Sequence, residues 1–337
     1  MKVDNLVLGI ESSCDETAVA VVRDGQRVLA NEVASQMDLH SRYGGVVPEV
    51  ASRQHLESLP LLVREVLQQS QVTFDDLTGI AVTAAPGLIG ALLVGLSAAK
   101  GLAFRLRLPL ATVHHIEAHL YASQLNDKPV EFPALGLAIS GGHTELYLME
   151  DWGRYKLLAS TRDDAAGEAF DKVAKLMGLG YPGGPILEKL AQKGGAPPSL
   201  FPISRMKDKS LDFSFSGLKT AVALEIKKNP MKDEKGMERL AAKFQSTVIE
   251  EVLARLGPAL EEHRPKSVVM GGGVACNQAL REAVRQTCAG FGAVLRVPPP
   301  KFCADNAAMI AGLGAYQLAQ GKYAPLSATA LPRSTFY

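Results

Sequence analysis

"LGIESSCDETAVAVVRDGQR" (residues 8–27) and "LGLAISGGHTELYLMEDWGR" (residues 135–154) are two copies of one pattern, related without a gap by a shift of 127 residues. Leu8/Leu135, Gly9/Gly136, Ser13/Ser140, Thr17/Thr144, Asp24/Asp151 and Arg27/Arg154 are identical. Each copy reads as an apolar strand, a small polar turn, a second strand, a tight turn and a third strand. The segments downstream of the two copies agree as well. The first copy continues into the helix-period segment "PEVASRQHLESLPLLVREVLQQ" (48–69), the strand "GIAVTAA" (79–85), a Pro-Gly turn, a helix, the strand "LPLATV" (108–113) and a helix carrying histidines. The second continues into helical "GEAFDKVAKLMGLG" (167–180) and "GPILEKLAQK" (184–193). Then come "KSVVMGGGVACNQALREAVRQTCAG" (266–290) as strand, glycine turn and helix, the strand "AVLRVP" (293–298) and a helix holding "CADNAAMIAGLGAYQLA" (303–319).

Two tandem βββαβαβα-like halves imply two similar α/β lobes facing each other across a cleft, the layout of the actin, hexokinase and Hsp70-like (ASKHA) ATPases. The expected division is lobe one over 1–125 and lobe two over 126–303, with a C-terminal helix near 304–325 packing back on lobe one. Fold analogy alone does not fix function.

The 337 residues are ample for this, and 47% hydrophobic with 21% charged residues is ordinary for a soluble protein. A net charge of +1 lacks the basic bias of an autonomous nucleic-acid binder. Cys14, Cys276, Cys288 and Cys303 show no paired spacing, which points to a reducing compartment. Charges at Lys2, Asp4, Glu11, Asp15 and Glu16 leave no signal-peptide core. Between Asp76 and Lys100 lie 23 uncharged residues, enough to span a bilayer, but Pro86-Gly87 divides them into a strand and a buried helix. A cytoplasmic protein with no membrane association is the expectation.

In "VHHIEAHLYAS" (113–123), His115 and His119 lie four apart. At about 100° per residue they share a helix face, about 40° apart. Asp305 opens the equivalent helix of the second half, so it is expected to reach them from the facing lobe. Two imidazoles and one carboxylate leave coordination positions open and suit Fe(II), with zinc as the alternative. A bare H-x-x-x-H more often marks surface or capping histidines, since a metal site needs further ligands. Protease chemistry fails: H-E-x-x-H zincins need Glu directly after the first His, whereas Glu117 lies about 200° round the helix from His115. His114 is off the shared face.

Three small-residue turns come after strands: "ESSCDET" (11–17), "SGGHTE" (140–145) and "GGGVACNQ" (271–278). Such turns let backbone N–H groups close on phosphate, although none matches a P-loop or G-x-G-x-x-G. In "GEAFDKVAKLMGLGYPGGP" (167–185), Asp171 offers a carboxylate for ribose hydroxyls, or else a partner for Lys175. In "DFSFSGLKTAV" (212–222), Ser214 or Ser216 is placed to cap the next helix, with Lys219 facing substrate or solvent.

Together, "GIESSCDETA", "YGGVVPEVASRQH", "APGLIGALLVG", "HHIEAHLYA", "SGGHTEL", "DDAAGEAFDKVAKLMGLGYPGGP", "DFSFSGLKTA", "GGGVACN" and "FCADNAAMIA" closely resemble, in order, the motifs of the TsaD family of tRNA threonylcarbamoyladenosine transferases, once called O-sialoglycoprotein endopeptidases. The match runs from residue 9 to about 314. The resemblance implies transfer of threonylcarbamoyl from threonylcarbamoyl-AMP to the exocyclic amine of the adenosine beside the anticodon, in tRNAs reading codons that begin with A. It implies His115, His119 and Asp305 as metal ligands, usually for iron. It places Ala138, Ile139, Ser140, Gly141 and Gly142 near the activated carboxyl and phosphate. Asp171, Gly184 and Asn277 become nucleotide-binding residues, with Glu188 adding a ribose contact. Partners would be tRNA, the inactive paralogue TsaB and the small ATPase TsaE, with Lys and Arg around 205–228 contributing to a tRNA path. Ala118 and Ala307 depart from the pattern, where glycine is usual. Asp15, then Glu16, is the candidate to accept the amine proton, although Asp15 also suits a simple Asx turn. Rival readings are an O-carbamoyltransferase acting on a small metabolite, an ASKHA kinase or ATPase, and a non-enzymatic scaffold.

Overall fold

Strand β1, Leu6–Glu11, is buried at every residue, so its sheet must be covered on both faces. It pairs antiparallel with β2 (Glu16–Arg23), which pairs antiparallel with β3 (Arg27–Ser35). A short helix α1 (Met37–Ser41) and the long α2 (Pro48–Ser70) lead to β4 (Gly79–Ala85), α3 (Ile89–Leu106), β5 (Leu110–His114) and α4 (His115–Tyr121). The five strands lie in the order β3-β2-β1-β4-β5, with β1, β4 and β5 parallel. This computed structural model describes residues 5–43, 45–125, 129–230 and 233–336.

The second half repeats the plan. Strands β6 (Ala134–Ile139), β7 (Thr144–Asp151) and β8 (Arg154–Ser160) form the meander. Helices α5 (Ala166–Leu176), α6 (Gly183–Gly194), α7 (Ser216–Lys228) and α8 (Glu234–His263) precede β9 (Ser267–Gly271), α9 (Gln278–Gly290) and β10 (Val294–Arg296). Strand order is β10-β9-β6-β7-β8, the same topology read from the other edge. The register of the first hairpin is kept as well: Leu8 opposes Val21, and Leu135 opposes Leu148, the same positions in the two copies. The chain is thus α/β with two five-stranded sheets of one topology.

The contacts divide into two units, one of residues 1–129 with 298–336 and one of residues 130–297. In the first, Leu59, Leu62 and Val66 of α2 and Leu92, Leu96 and Ala99 of α3 pack against Leu8, Ile10, Val19, Val21, Ile80 and Val82. The opposite face is covered by the last helix, α10 (Ala307–Ala319), which contacts all five strands and α4. Its sequence is apolar apart from Gln317, as burial of most of its residues demands, and small residues let it come close. A Cβ on Gly9 would lie 2.5 Å from the Ala307 carbonyl oxygen and 2.6 Å from the Ala311 nitrogen, and one on Gly314 would lie 2.2 Å from Ala81 Cβ. Asp305 therefore belongs to the same unit as His115 and His119. Of the two origins the sequence offered, the facing lobe is excluded: the helix that Asp305 precedes packs against the first sheet.

By length and composition α3 could cross a membrane. Here it packs on β4 and α2, with Ala91, Leu92, Leu96, Ala99 and Ala103 buried, and Lys100 donates to the Ala328 carbonyl.

Candidate active site

Strand β5 runs directly into α4, with His114 as the N-cap residue and His115 first in the helix. The two histidines sit one turn apart and both are buried. His119 Nε2 stands 3.1 Å from His115 Nε2 and 3.1 Å from Asp305 Oδ1, and His115 Nε2 is 3.5 Å from the same oxygen. Two donors about 2.1 Å from a shared ion and about 90° apart are about 3.0 Å from each other. The three atoms thus have the spacing of adjacent ligands on one metal, and among the described residues they form a group able to hold one. Glu117, although buried, is not in that group.

Glu11, at the end of β1, is fully buried, and nothing in the sequence pattern singles it out. Its Oε2 lies 3.0 Å from His115 Nδ1 and accepts the Thr83 hydroxyl at 2.6 Å, while Oε1 accepts the Ser13 N–H at 2.5 Å. Ser13 Oγ is 3.3 Å from His115 Nδ1. A carboxylate at Nδ1 holds the proton there and leaves Nε2 with a lone pair, the arrangement that orients histidine towards a metal. Electron pairs this crowded call for a cation or a proton between them. Burial is the largest influence on His115 and favours the neutral ring, but Asp305 and Glu11 outweigh it and push the ring up to about 9. Burial, then the His115 charge, pushes His119 down. Donor set, spacing and electrostatics all fit a divalent ion.

Asp15 lies in the turn between β1 and β2, and Glu16 begins β2. The turn is fixed from outside: the Leu88 N–H donates to Ser13 O at 2.8 Å, and a Cβ at Gly87 would lie 2.5 Å from that oxygen. Glu16 accepts from Ser35 Oγ at 3.2 Å. Burial, with the charges of Asp305 and Asp15, pushes Glu16 up to about 9, so it keeps its proton at neutral pH. The unfolded chain releases that proton near 4.5. The metal-free protein is therefore expected to lose stability as pH rises from about 4.5 through about 9. Glu16→Gln should flatten that part of the denaturation-midpoint profile. Burial likewise raises the Cys14 thiol, which is no nucleophile at neutral pH. His114 faces elsewhere: Nε2 lies 3.1 Å from the Ser334 carbonyl, its ring is 4.6 Å from that of Phe336, and burial lowers it to about 4.

In the second unit, Ala138 and Ile139 end β6, and Ser140, Gly141 and Gly142 form the adjoining turn. Ser140 Oγ accepts the His143 N–H at 3.1 Å, and Ser140 O accepts the Gly167 N–H at 3.1 Å. Gly141 and Gly142 face open space, so no packing demands glycine there. Gly272, at φ +98, has no room for a Cβ, which would sit 2.4 Å from Ile139 O. Asp171 accepts from the Gly183 N–H at 2.7 Å, joining α5 to the start of α6 rather than pairing with Lys175. Gly183, not Gly184, is sterically confined: its Cβ would lie 2.5 Å from Ala174 Cβ, while Gly184 is open. Glu188 accepts from the Gln278 N–H at 2.7 Å. Asn277 caps α9 by accepting from Leu280 N at 2.9 Å and donates to Gln245 Oε1 at 2.8 Å. Contacts thus link the turn at 140–142 to the start of α5, α5 to the start of α6, α6 to the start of α9, and Gly272 back to Ile139. Three helix N-termini, which favour anions, are bound into that circuit.

The cap of α7 comes from neither Ser214 nor Ser216. Asp163 accepts from Phe215 N at 2.8 Å, Ser216 N at 3.1 Å, Ser214 Oγ at 2.5 Å and Ser216 Oγ at 2.7 Å. Lys219 pairs with Asp164, which also holds Lys172 at 2.8 Å. Asp163→Ala should cost about 2 kcal/mol, read from the urea midpoint, because it removes a charged cap with several donors.

Known proteins resemble this chain along nearly its whole length. A tRNA N6-adenosine threonylcarbamoyltransferase of Geobacter sp. (strain M21) is 52% identical over 97% of this chain and 95% of its own length. The enzyme of that name from Symbiobacterium thermophilum is 51% identical over 98% of this chain and 96% of its own. Among solved structures, HypF of T. kodakarensis aligns with a TM-score of 0.63 at 14% identity, over 94% of this chain and 48% of that one. Component A of the Acidaminococcus fermentans (R)-2-hydroxyglutaryl-CoA dehydratase aligns at 0.56 with 17% identity, over 94% and 99%. These two bear on fold alone, and the fold is of the ASKHA type. The family model for tRNA N6-adenosine threonylcarbamoyltransferase matches residues 27–312, and the chain belongs to that family, TsaD.

Proposed function

We propose that this enzyme transfers the threonylcarbamoyl group of threonylcarbamoyl-AMP to the exocyclic amine of the adenosine beside the anticodon, in tRNAs reading codons that begin with A. The product is threonylcarbamoyladenosine, and AMP is released. Relatedness at about half identity over nearly the whole chain carries this reading. The donor is a mixed carboxylic-phosphoric anhydride and is already activated, so positioning and charge stabilisation suffice. The amine nitrogen bonds to the carbamoyl carbon, the bond from that carbon to the phosphate oxygen breaks, and Asp15 accepts the amine proton. Glu16, the next residue, is the second candidate for that role.

His115, His119 and Asp305 hold the ion, Fe(II) before zinc, with Glu11 fixing the His115 ring. When bound, it supplies Lewis-acid charge for the departing phosphate. Ala138, Ile139, Ser140, Gly141 and Gly142 take the activated carboxyl and phosphate. Asp171, Gly184 and Asn277 take the nucleotide, and Glu188 the ribose. TsaB and TsaE are the protein partners, and the setting is the cytoplasm. A partner reading is supported by an apolar groove between α2 and α3, where Leu56 is 61% and Leu93 47% exposed. Purified protein, partners, ferrous ion, threonylcarbamoyl-AMP and unmodified tRNA should yield the modified nucleoside by mass spectrometry. Unmodified adenosine after that incubation would reject the proposal.

A further inference from the structure

Behind the Asp15 turn lies a buried polar chain with no part in the chemistry above. His40, His55 and Thr17 are fully buried, and Gln36 is 6% exposed. Every hydrogen bond in it has a determined direction. The Val47 N–H can only donate, so His40 Nδ1 accepts it at 3.3 Å and His40 Nε2 carries the proton. That N–H donates to Gln36 Oε1 at 3.1 Å, which leaves the Gln36 amide nitrogen facing Ala51 O at 3.4 Å and His55 Nδ1 at 3.5 Å. His55 Nδ1 also accepts the Thr17 hydroxyl at 2.7 Å. The remaining nitrogen, His55 Nε2, must then donate, and it does so to the Cys14 carbonyl at 3.0 Å. The next carbonyl, that of Asp15, accepts the Gln36 backbone N–H at 3.0 Å. The carbonyls on either side of the Asp15 backbone N–Cα–C unit are therefore pinned by groups from outside the turn.

We propose that His55 is a positioning residue for the transfer reaction: through the Cys14 carbonyl it sets the backbone of the turn and hence the direction in which Asp15 presents its carboxylate, while Thr17, Gln36 and His40 hold His55 in the one tautomer that can do this. The inference rests on the reading of Asp15 as proton acceptor. A solvated turn of small residues samples many orientations, and a displacement of about 1 Å at a reacting group costs up to about a hundredfold in rate. Two buried neutral imidazoles in a closed directional chain remove that freedom without placing a charge beside the site.

Two replacements separate positioning from packing, since both remove the same ring. In His55→Gln the amide nitrogen extends to about the place of Nε2 and can still donate to Cys14 O. In His55→Asn the amide reaches only to about the place of Nδ1, keeping the Thr17 contact and losing Cys14. With partners, ferrous ion, donor and tRNA present, His55→Asn should lower kcat about tenfold or more, with the donor KM within about twofold of wild type. His55→Gln should stay within about threefold of wild type, and Asp15→Asn combined with His55→Asn should be no slower than Asp15→Asn alone. Equal rates for the two His55 variants, or additive losses in the double variant, overturn the inference while Asp15→Asn alone remains slow. A fully active Asp15→Asn instead overturns the Asp15 reading, and this inference with it. Should neither His55 variant fold, Gln36→Met keeps both rings and removes the amide that orients them. It should lower kcat about threefold or more, and a wild-type kcat there overturns the inference.

Discussion

Replacing His119 with alanine should leave a folded protein without its ion and lower transfer at least about a hundredfold, because two donors cannot reproduce the three-atom seat at Asp305. Metal analysis of the purified variant beside nucleoside mass spectrometry is the check. Retention of both ion and rate would remove this group from the mechanism. Glu11→Gln should act more mildly. The amide stays near His115 Nδ1, where the carboxylate lies at 3.0 Å, but it no longer holds the proton there by charge. About ten- to a hundredfold loss of metal affinity is expected, with the fold kept. Ferrous-ion titration of the chelator-stripped proteins distinguishes the two variants: Glu11→Gln should regain activity at high ferrous ion, and His119→Ala should not.

Gly9→Val should be the most damaging single change in the first sheet. Its Cβ would enter the Ala307 carbonyl oxygen at 2.5 Å and the Ala311 nitrogen at 2.6 Å, both helix backbone, which no rotamer change can relieve. The cost should be about 3 kcal/mol or more, seen as a lower denaturant midpoint. Metal content gives a second readout, since Ala307 is two residues beyond Asp305 and a displaced α10 moves the carboxylate from the histidines. An unchanged midpoint would mean that α10 does not sit as described.

Much of this was legible in the chain itself. The gapless repeat implied that the two halves share one plan, and the structure gives them one strand order and one hairpin register. His115, His119 and Asp305 were legible as a group because they occupy matching places in the two halves. The sequence left two origins for Asp305, the facing lobe and a helix packed back on the first, because an apolar helix announces burial but does not say which sheet it covers. Glu11 escaped notice for a related reason, since a carboxylate ending an apolar strand resembles an ordinary strand terminator and its partner is 104 positions away. The second unit hid its caps similarly. Asp163 serves the start of α7 from 52 residues upstream of Phe215, and Glu188 reaches Gln278 across 90 positions. Capping rules search three or four residues, and these bonds are tertiary.

The placement of α10 also sets an order of events during synthesis. Strands β1 to β5 leave the ribosome first, yet the face around Gly9 and Ala81 stays bare until residues 307–319 emerge. Before then residues 130–297, contiguous in sequence, have all the chain they need to close their own sheet. The first half made is therefore the last completed, and no ion can be seated by all three ligands in a chain cut short of Asp305. Seating an ion on all three ligands would thus require synthesis at least as far as Asp305.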